Sequence, residues 1–101
     1  MRKTYALMQV ATELLADFAG KHYGYDLAKK SGVRSGVLYP MLTRMVEAGW
    51  LTDGWEDPAQ IQGRPPRRYY ELTNEGIQCL GGLIEEARSD ARFASLRERW
   101  V

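Results

Sequence analysis

Apolar residues recur at three- and four-residue spacing through the first half of this chain, lose that period between Trp50 and Leu72, and regain it from Thr73 nearly to the terminus. A period near 3.6 buries one stripe of a helix, whereas strict alternation buries one face of a strand. The order of periods therefore predicts a mainly α chain with one small β-hairpin before its last helix. The first helix runs from Thr4 to Ala19, with Leu7, Met8, Val10, Ala11, Leu14, Leu15 and Phe18 on its stripe and Gly20 as its stop. A short second helix, Tyr25 to Ser31, turns Leu27 and Ala28 inward and Lys29 and Lys30 outward, and Gly32 ends it. The third begins at Ser35, read as its N-cap, and continues to Ala48 on Leu38, Leu42, Met45 and Val46. Pro40 lacks the N–H that would meet the Gly36 carbonyl, a loss that costs least near a helix start.

A loop rich in turn formers, Asp57 to Pro66, separates two alternating segments that read as a two-stranded hairpin. On its return segment Arg68, Tyr70 and Leu72 share one face, and Arg67, Tyr69 and Glu71 the other. Thr73 then caps a stretch in which Ile77, Leu80, Leu83, Ile84, Ala87, Ala91 and Ala94 keep helical spacing. Read as one helix, residues 74–101 would extend about 42 Å at 1.5 Å per residue. That is longer than a 101-residue domain can cover, so part of the stripe is expected to meet a second chain. The chain then divides into residues 1–73 and a C-terminal dimerisation helix, 74–101, packed with the first helix. Leu14, Phe18, Leu80, Leu83, Ile84, Ala87 and Ala91 are the candidate dimer residues. Gly81 and Gly82 each cost about 1 kcal/mol relative to Ala inside a helix, so either the helix bends there or two backbones cross closely.

Composition narrows the chemistry. The 101 residues suffice for one core, and 14 Lys and Arg against 13 Asp and Glu leave a net charge of +1. Any nucleic-acid footprint must then be local. The longest apolar run, Tyr5 to Met8, falls far short of the roughly twenty residues a membrane span needs, so neither a transmembrane nor a secretory segment is expected. A single cysteine, Cys79, and a single histidine, His22, leave no internal disulfide and too few soft ligands for an ordinary zinc site, which suits a reducing cytoplasm. No metal, cofactor or catalytic residue is expected. His22 has only Asp26 within a helical turn, and the two read as a surface pair. Cys79, one position off the stripe, is either half-buried packing or a thiol near the dimer seam. Tyr25 and Tyr70 read as core rings.

Helix, short helix, tight turn, helix, hairpin and long helix is the order of a winged helix-turn-helix, in which the third helix reads DNA. With its apolar stripe inward, the 100° step turns Gly36, Pro40, Thr43, Arg44 and Glu47 outward, with Val37 and Tyr39 flanking. Ser35 can offer a backbone amide and a hydroxyl to phosphate, Gly36 permits close approach, and Thr43 and Arg44 reach base edges or backbone. Tyr39 can donate its hydroxyl to a phosphate. Arg64, Arg67 and Arg68 stand beside Gly63, Pro65 and Pro66 in the hairpin loop. An isolated arginine run is a solvated face, but at the tip of a wing it meets a phosphate ridge or minor groove. Lys29 is open to both readings, as a backbone contact of the second helix or as a solvated side chain.

The stretches Tyr23-Gly24-Tyr25-Asp26-Leu27-Ala28, Ser35-Gly36-Val37-Leu38-Tyr39-Pro40, Glu47-Ala48-Gly49-Trp50-Leu51 and Gly63-Arg64-Pro65-Pro66-Arg67-Arg68-Tyr69-Tyr70-Glu71-Leu72-Thr73 together resemble the PadR family of bacterial transcriptional regulators. The resemblance implies a homodimeric repressor whose C-terminal helix builds the dimer and whose recognition helices bind a palindromic operator. The sequence departs from the pattern where His22 precedes Tyr23 instead of directly preceding the glycine, and its C-terminal segment is short, as in compact members without a separate C-terminal domain. Phe93, Leu96 and Trp100 fall at three- and four-residue spacing near the end. They either wall an inter-subunit pocket for a small aromatic effector, as the resemblance allows, or pack against the partner's first helix. A protein-interaction module, or an antagonist of another regulator, is the remaining alternative, in keeping with the near-neutral charge.

Overall fold

The computed structural model describes residues 1–100. Four helices, α1 (Tyr5–Ala16), α2 (Gly24–Ser31), α3 (Ser35–Glu47) and α4 (Asn74–Ala87), surround one core, with three strands, β1 (His22–Tyr23), β2 (Leu51–Trp55) and β3 (Arg68–Leu72). Thr4 caps α1, its hydroxyl oxygen accepting the Leu7 amide at 3.1 Å. The predicted stripe of α1 is buried at Leu7, Met8, Val10, Ala11 and Leu14, but the helix ends three residues early and leaves Phe18 exposed. Gly32 terminates α2 in the left-handed region, φ 76°, where its amide reaches the Ala28 carbonyl. The cap of α3 lies one residue before the expected one. Arg34 occupies the cap position without a side-chain bond, and Ser35 is the first helical residue. Leu38, Leu42 and Met45 are buried as predicted, and Met41 joins them.

The predicted hairpin is part of a three-stranded antiparallel sheet of order β1-β3-β2. His22 pairs with Tyr70 and Tyr23 with Tyr69, so a two-residue strand, too short to carry a period of its own, closes the outer edge of β3. His22 is correspondingly not a surface partner of Asp26. Its ring is buried and its Nε2 lies 2.9 Å from the Asp17 carbonyl oxygen. Tyr70 is a core ring, as expected, whereas Tyr25 projects into solvent.

Helix α4 is anchored at its start. The Thr73 hydroxyl donates to the Gly49 carbonyl at 2.6 Å and accepts the Gly76 amide at 2.9 Å, while the Thr73 amide donates to the Trp50 carbonyl at 3.0 Å. A Cβ on Gly76 would lie 2.8 Å from the Trp50 carbonyl carbon, so only glycine lets the helix approach this turn so closely. Residues 74–101 are not one long helix. Helix α4 stops at Ala87, where the Asp90 amide folds back to the Ala87 carbonyl, and the Asp90 carboxylate accepts the Arg92 amide to open a new turn. From Ala91 to Trp100 the chain winds in 3₁₀ turns, kinked at Phe93, against α1 of the same chain. Trp100 Nε1 donates to Thr12 Oγ1 at 2.8 Å, the Tyr5 and Ser95 hydroxyls meet at 2.5 Å, and Arg99 pairs with Glu13 at 2.9 Å. The terminal segment is thus docked on α1 of its own chain instead of extending toward a second one. Gly81 and Gly82 do not bend α4, and no other element of the chain approaches them. Both face open space.

Candidate nucleic-acid interface

Every α3 residue assigned to the DNA face lies at the surface: Ser35, Gly36, Val37, Tyr39, Pro40, Thr43 and Arg44 are all exposed. At the start of α3 the Val37 and Leu38 amides both turn back to the Arg34 carbonyl, which leaves the Ser35 and Gly36 amides without an acceptor among the described residues. Two such donors at a helix N-terminus, with the dipole behind them, suit a phosphate oxygen. Thr43 Oγ1 donates to the Tyr39 carbonyl of its own helix, so it presents an oxygen lone pair and a methyl group outward.

The wing differs from its expected form. Its three arginines are exposed, but each is paired with a carboxylate of the opposite arm. Arg64 Nη1 lies 2.7 Å from Glu56 Oε1, Arg67 reaches the same oxygen through its backbone amide at 2.8 Å and its Nε at 3.3 Å, and Arg68 Nε reaches Asp53 Oδ2 at 2.9 Å. The Glu56 side chain is only 15% exposed, and the Arg64 guanidinium, seconded by Arg67, holds its carboxyl far below the ordinary carboxylate range. Arg67 also stacks over the Tyr23 ring at 4.3 Å, and the Lys21 ammonium over Tyr69 at 4.5 Å. These carboxylates were legible in principle, because the hairpin register that sets Trp55 opposite Arg68 places Glu56 opposite Arg67.

Outside the wing the cations divide into unpaired and paired sets. Arg2, Lys29, Lys30, Arg34 and Arg44 have no carboxylate partner among the described residues, nor do Lys21 and Arg97, whereas Lys3, Arg88, Arg92 and Arg99 toward the C-terminal side are all paired. Around α2 and α3 the unpaired Lys29, Lys30, Arg34 and Arg44 outnumber the unpaired carboxylates Asp26 and Glu47. Arg34 and Arg2 escaped the sequence reading: Arg34 precedes the expected cap, and Arg2 comes beside Arg44 only through folding, in a cleft formed by Met1, Thr4, Leu7 and Met41.

The dimer candidates are divided. Leu14, Leu80, Ile84 and Ala87 are buried in the chain's own core, while Phe18, 58% exposed, Leu83, half-buried, and Ala91, exposed, remain at the surface. The three residues proposed to wall an effector pocket are likewise engaged internally. Phe93 and Trp100 are 1% and 5% exposed, packed against α1 of the same chain and not a partner's, and Leu96 is half-buried beside them. Cys79 is half-buried and free.

The arrangement of α2, α3 and the wing has close counterparts among solved structures. A PadR family transcription regulator from Clostridium difficile is 28% identical, with a TM-score of 0.66 over 81% of this chain and 86% of that one. A PadR family transcriptional regulator from Eggerthella lenta is also 28% identical, with a TM-score of 0.60 over 75% and 69%. A Streptococcus mutans protein, 25% identical, aligns over 91% and 94% with a TM-score of 0.64. No curated protein matches the chain. The family profile described as the transcriptional regulator PadR-like family matches residues 13–81, from the second half of α1 through the wing into α4. With the helix-turn-helix, the wing and the motifs that carry the resemblance all inside that span, the chain belongs to the PadR-like family of transcriptional regulators and is not an enzyme.

Proposed function

We propose that the chain is a homodimeric repressor that binds a palindromic operator in double-stranded DNA, with α3 in the major groove and the wing on the adjacent backbone or minor groove. The observation that carries this reading is the concentration of unpaired cations around an exposed α3 whose first amides lack acceptors. Ser35, Gly36, Val37, Tyr39, Pro40, Thr43 and Arg44 form the reading face. Lys29 contacts the backbone and Arg64, Arg67 and Arg68 the wing-side phosphates, each arginine keeping N–H donors that its carboxylate does not use. The dimer surface is formed by Phe18, Leu83 and Ala91 with the open glycine face of α4, backed from beneath by Leu14, Leu80, Ile84 and Ala87. In such a dimer the two recognition helices stand about 34 Å apart, one DNA turn. Action on DNA requires the cytoplasmic compartment of a bacterial cell, where the chromosome is.

Selection of bound duplexes from random DNA tests this reading directly, and a palindrome with half-sites one turn apart is the expected product. Recovery of no sequence, with no salt-dependent binding to any duplex, would favour a protein-interaction module instead. An effector role for Trp100 is supported by one observation: its edge borders a cleft of about 340 Å³ between α1 and α4, shared with Leu15, Arg88 and Arg99. Titration with phenolic acids should quench Trp100 emission and release the duplex together. Quenching without release would make the residue structural.

A further inference from the structure

Some large aromatic side chains of this chain are buried, and others stand in solvent. Phe93, Tyr70 and Trp100 are sealed in the core, whereas Trp55, Tyr25 and Tyr39 are 65%, 70% and 44% exposed. The last three are drawn from β2, α2 and α3, yet they line one cleft of about 350 Å³, together with Arg67 and Arg68. The sheet geometry accounts for the convergence. Alternation along β2 puts Leu51, Asp53 and Trp55 on one face, and the register places Leu72, Tyr70 and Arg68 beside them. Leu51 and Tyr70 bury the inner part of that face, which then runs past the edge of the core and carries Trp55 and Arg68 out toward the N-terminal half of α3. On the other wall the Tyr39 ring lies on the bare backbone of Gly24, where a Cβ would come within 2.6 Å of Tyr39 Cε1.

An exposed apolar cluster rimmed by cations is unusual on a small domain and marks a contact surface. The rim indicates which contact. Arg67 uses Nε and Nη2 on Glu56, and Arg68 uses Nε and Nη2 on Asp53, so Nη1 of each has no acceptor among the described residues. The cleft therefore offers aromatic walls with positively charged donors at its edge, at the junction between the proposed reading helix and the wing. A duplex spanning those two elements passes a stretch of sugar-phosphate backbone over this junction, and that backbone alternates apolar deoxyribose edges with anionic phosphates.

We propose that the Tyr25–Tyr39–Trp55 cleft grips the DNA backbone between the two grooves, with deoxyribose packed on Trp55 and Tyr39 and a phosphate on the unused Nη1 groups of Arg67 and Arg68. The inference rests on the DNA-binding reading above and adds to it a sequence-independent apolar contact, which any duplex can make. Packing against sugar releases no counterion, so removing it weakens binding equally at all salt concentrations, whereas removing a cation from a phosphate flattens the salt dependence.

The test uses the full chain and a mixed-sequence, end-labelled duplex of about two helical turns at low salt. Anisotropy of the label reports binding, and acrylamide quenching reports tryptophan access, with Trp55→Phe subtracted from the unmodified protein to isolate Trp55 from the half-buried Trp50 and buried Trp100. The Trp55 component is expected to lose at least about half of its quenching constant when the duplex binds. Trp55→Ala, on an exposed edge-strand position whose loss leaves the core intact, is expected to weaken binding about tenfold, or about 1.4 kcal/mol, with an unchanged slope of log affinity against log salt. A bound duplex that leaves Trp55 fully quenchable, or a Trp55→Ala affinity equal to that of the unmodified protein, overturns the cleft contact while the DNA-binding reading stands. Absence of any duplex binding by the unmodified protein overturns both.

Discussion

The terminal segment is held to α1 by one buried polar contact that can be tested with two conservative substitutions. Thr12 Oγ1 donates to the Met8 carbonyl at 2.6 Å and accepts Trp100 Nε1 at 2.8 Å, and both side chains are buried. Thr12→Val keeps the volume but removes the acceptor, leaving an indole N–H sealed from water, which costs about 1–3 kcal/mol. For a domain of this size that corresponds to a melting point lower by roughly 4–8 °C per kcal/mol. Trp100→Phe removes the donor and some buried ring area, at about 1–2 kcal/mol, while the Thr12 hydroxyl keeps its bond to Met8. In the double variant no orphaned donor remains, so the Thr12→Val step should then cost less than about 0.5 kcal/mol, giving a coupling of about 1–2 kcal/mol. Urea titrations followed by far-ultraviolet circular dichroism supply all four stabilities. If Thr12→Val costs the same in both backgrounds, or nothing in the unmodified one, the indole does not sit on Thr12 and the segment does not cover α1.

Arg64→Ala and Arg67→Ala should each weaken binding to every duplex and lower the salt slope by roughly one for each phosphate left without its cation, and unchanged slopes in both would remove the wing from the interface. Gly76→Ala drives a methyl into the Trp50 carbonyl and should destabilise by about 1–3 kcal/mol, read by urea denaturation, although alanine is the better helix former, so a stabilised variant would contradict the tight α4 approach. Glu56 is more acidic folded than its ordinary 4.5, so its stabilising contribution is present above about pH 4.5 and is lost as pH falls below it; Glu56→Gln should lower the melting point at neutral pH and flatten its acid dependence. Phe18→Glu at an exposed position should leave the monomer folded but shift sedimentation toward half the mass, and an unmodified protein that sediments as a monomer at about tens of micromolar ends the proposed operator symmetry.

Periodicity was sufficient for α1, α2 and α3 and for the outward face of α3, because burial of one stripe is a local rule that each residue obeys through its own position on the helix. Gly32 and Gly49, with φ of 76° and 79°, punctuate α2 and α3 where the residue type alone suggests a stop. The wing arginines and the family motifs were equally visible, since both are contiguous in sequence. What escaped depends on residues brought together from far apart. Strand β1 has two residues and exists because β3 offers it an edge; Glu56 and Asp53 neutralise arginines that lie 8 to 15 positions away; Trp55, Tyr25 and Tyr39 converge from three elements. The last helix shows the same limit. Ala91 and Ala94 prolong the helical spacing beyond Ala87, and only the fold selects the break at Asp90 that local capping permits. By turning there, the chain buries Phe93 and Trp100 on its own α1 and satisfies the indole N–H at Thr12, whereas a straight helix would have carried both rings away from that surface.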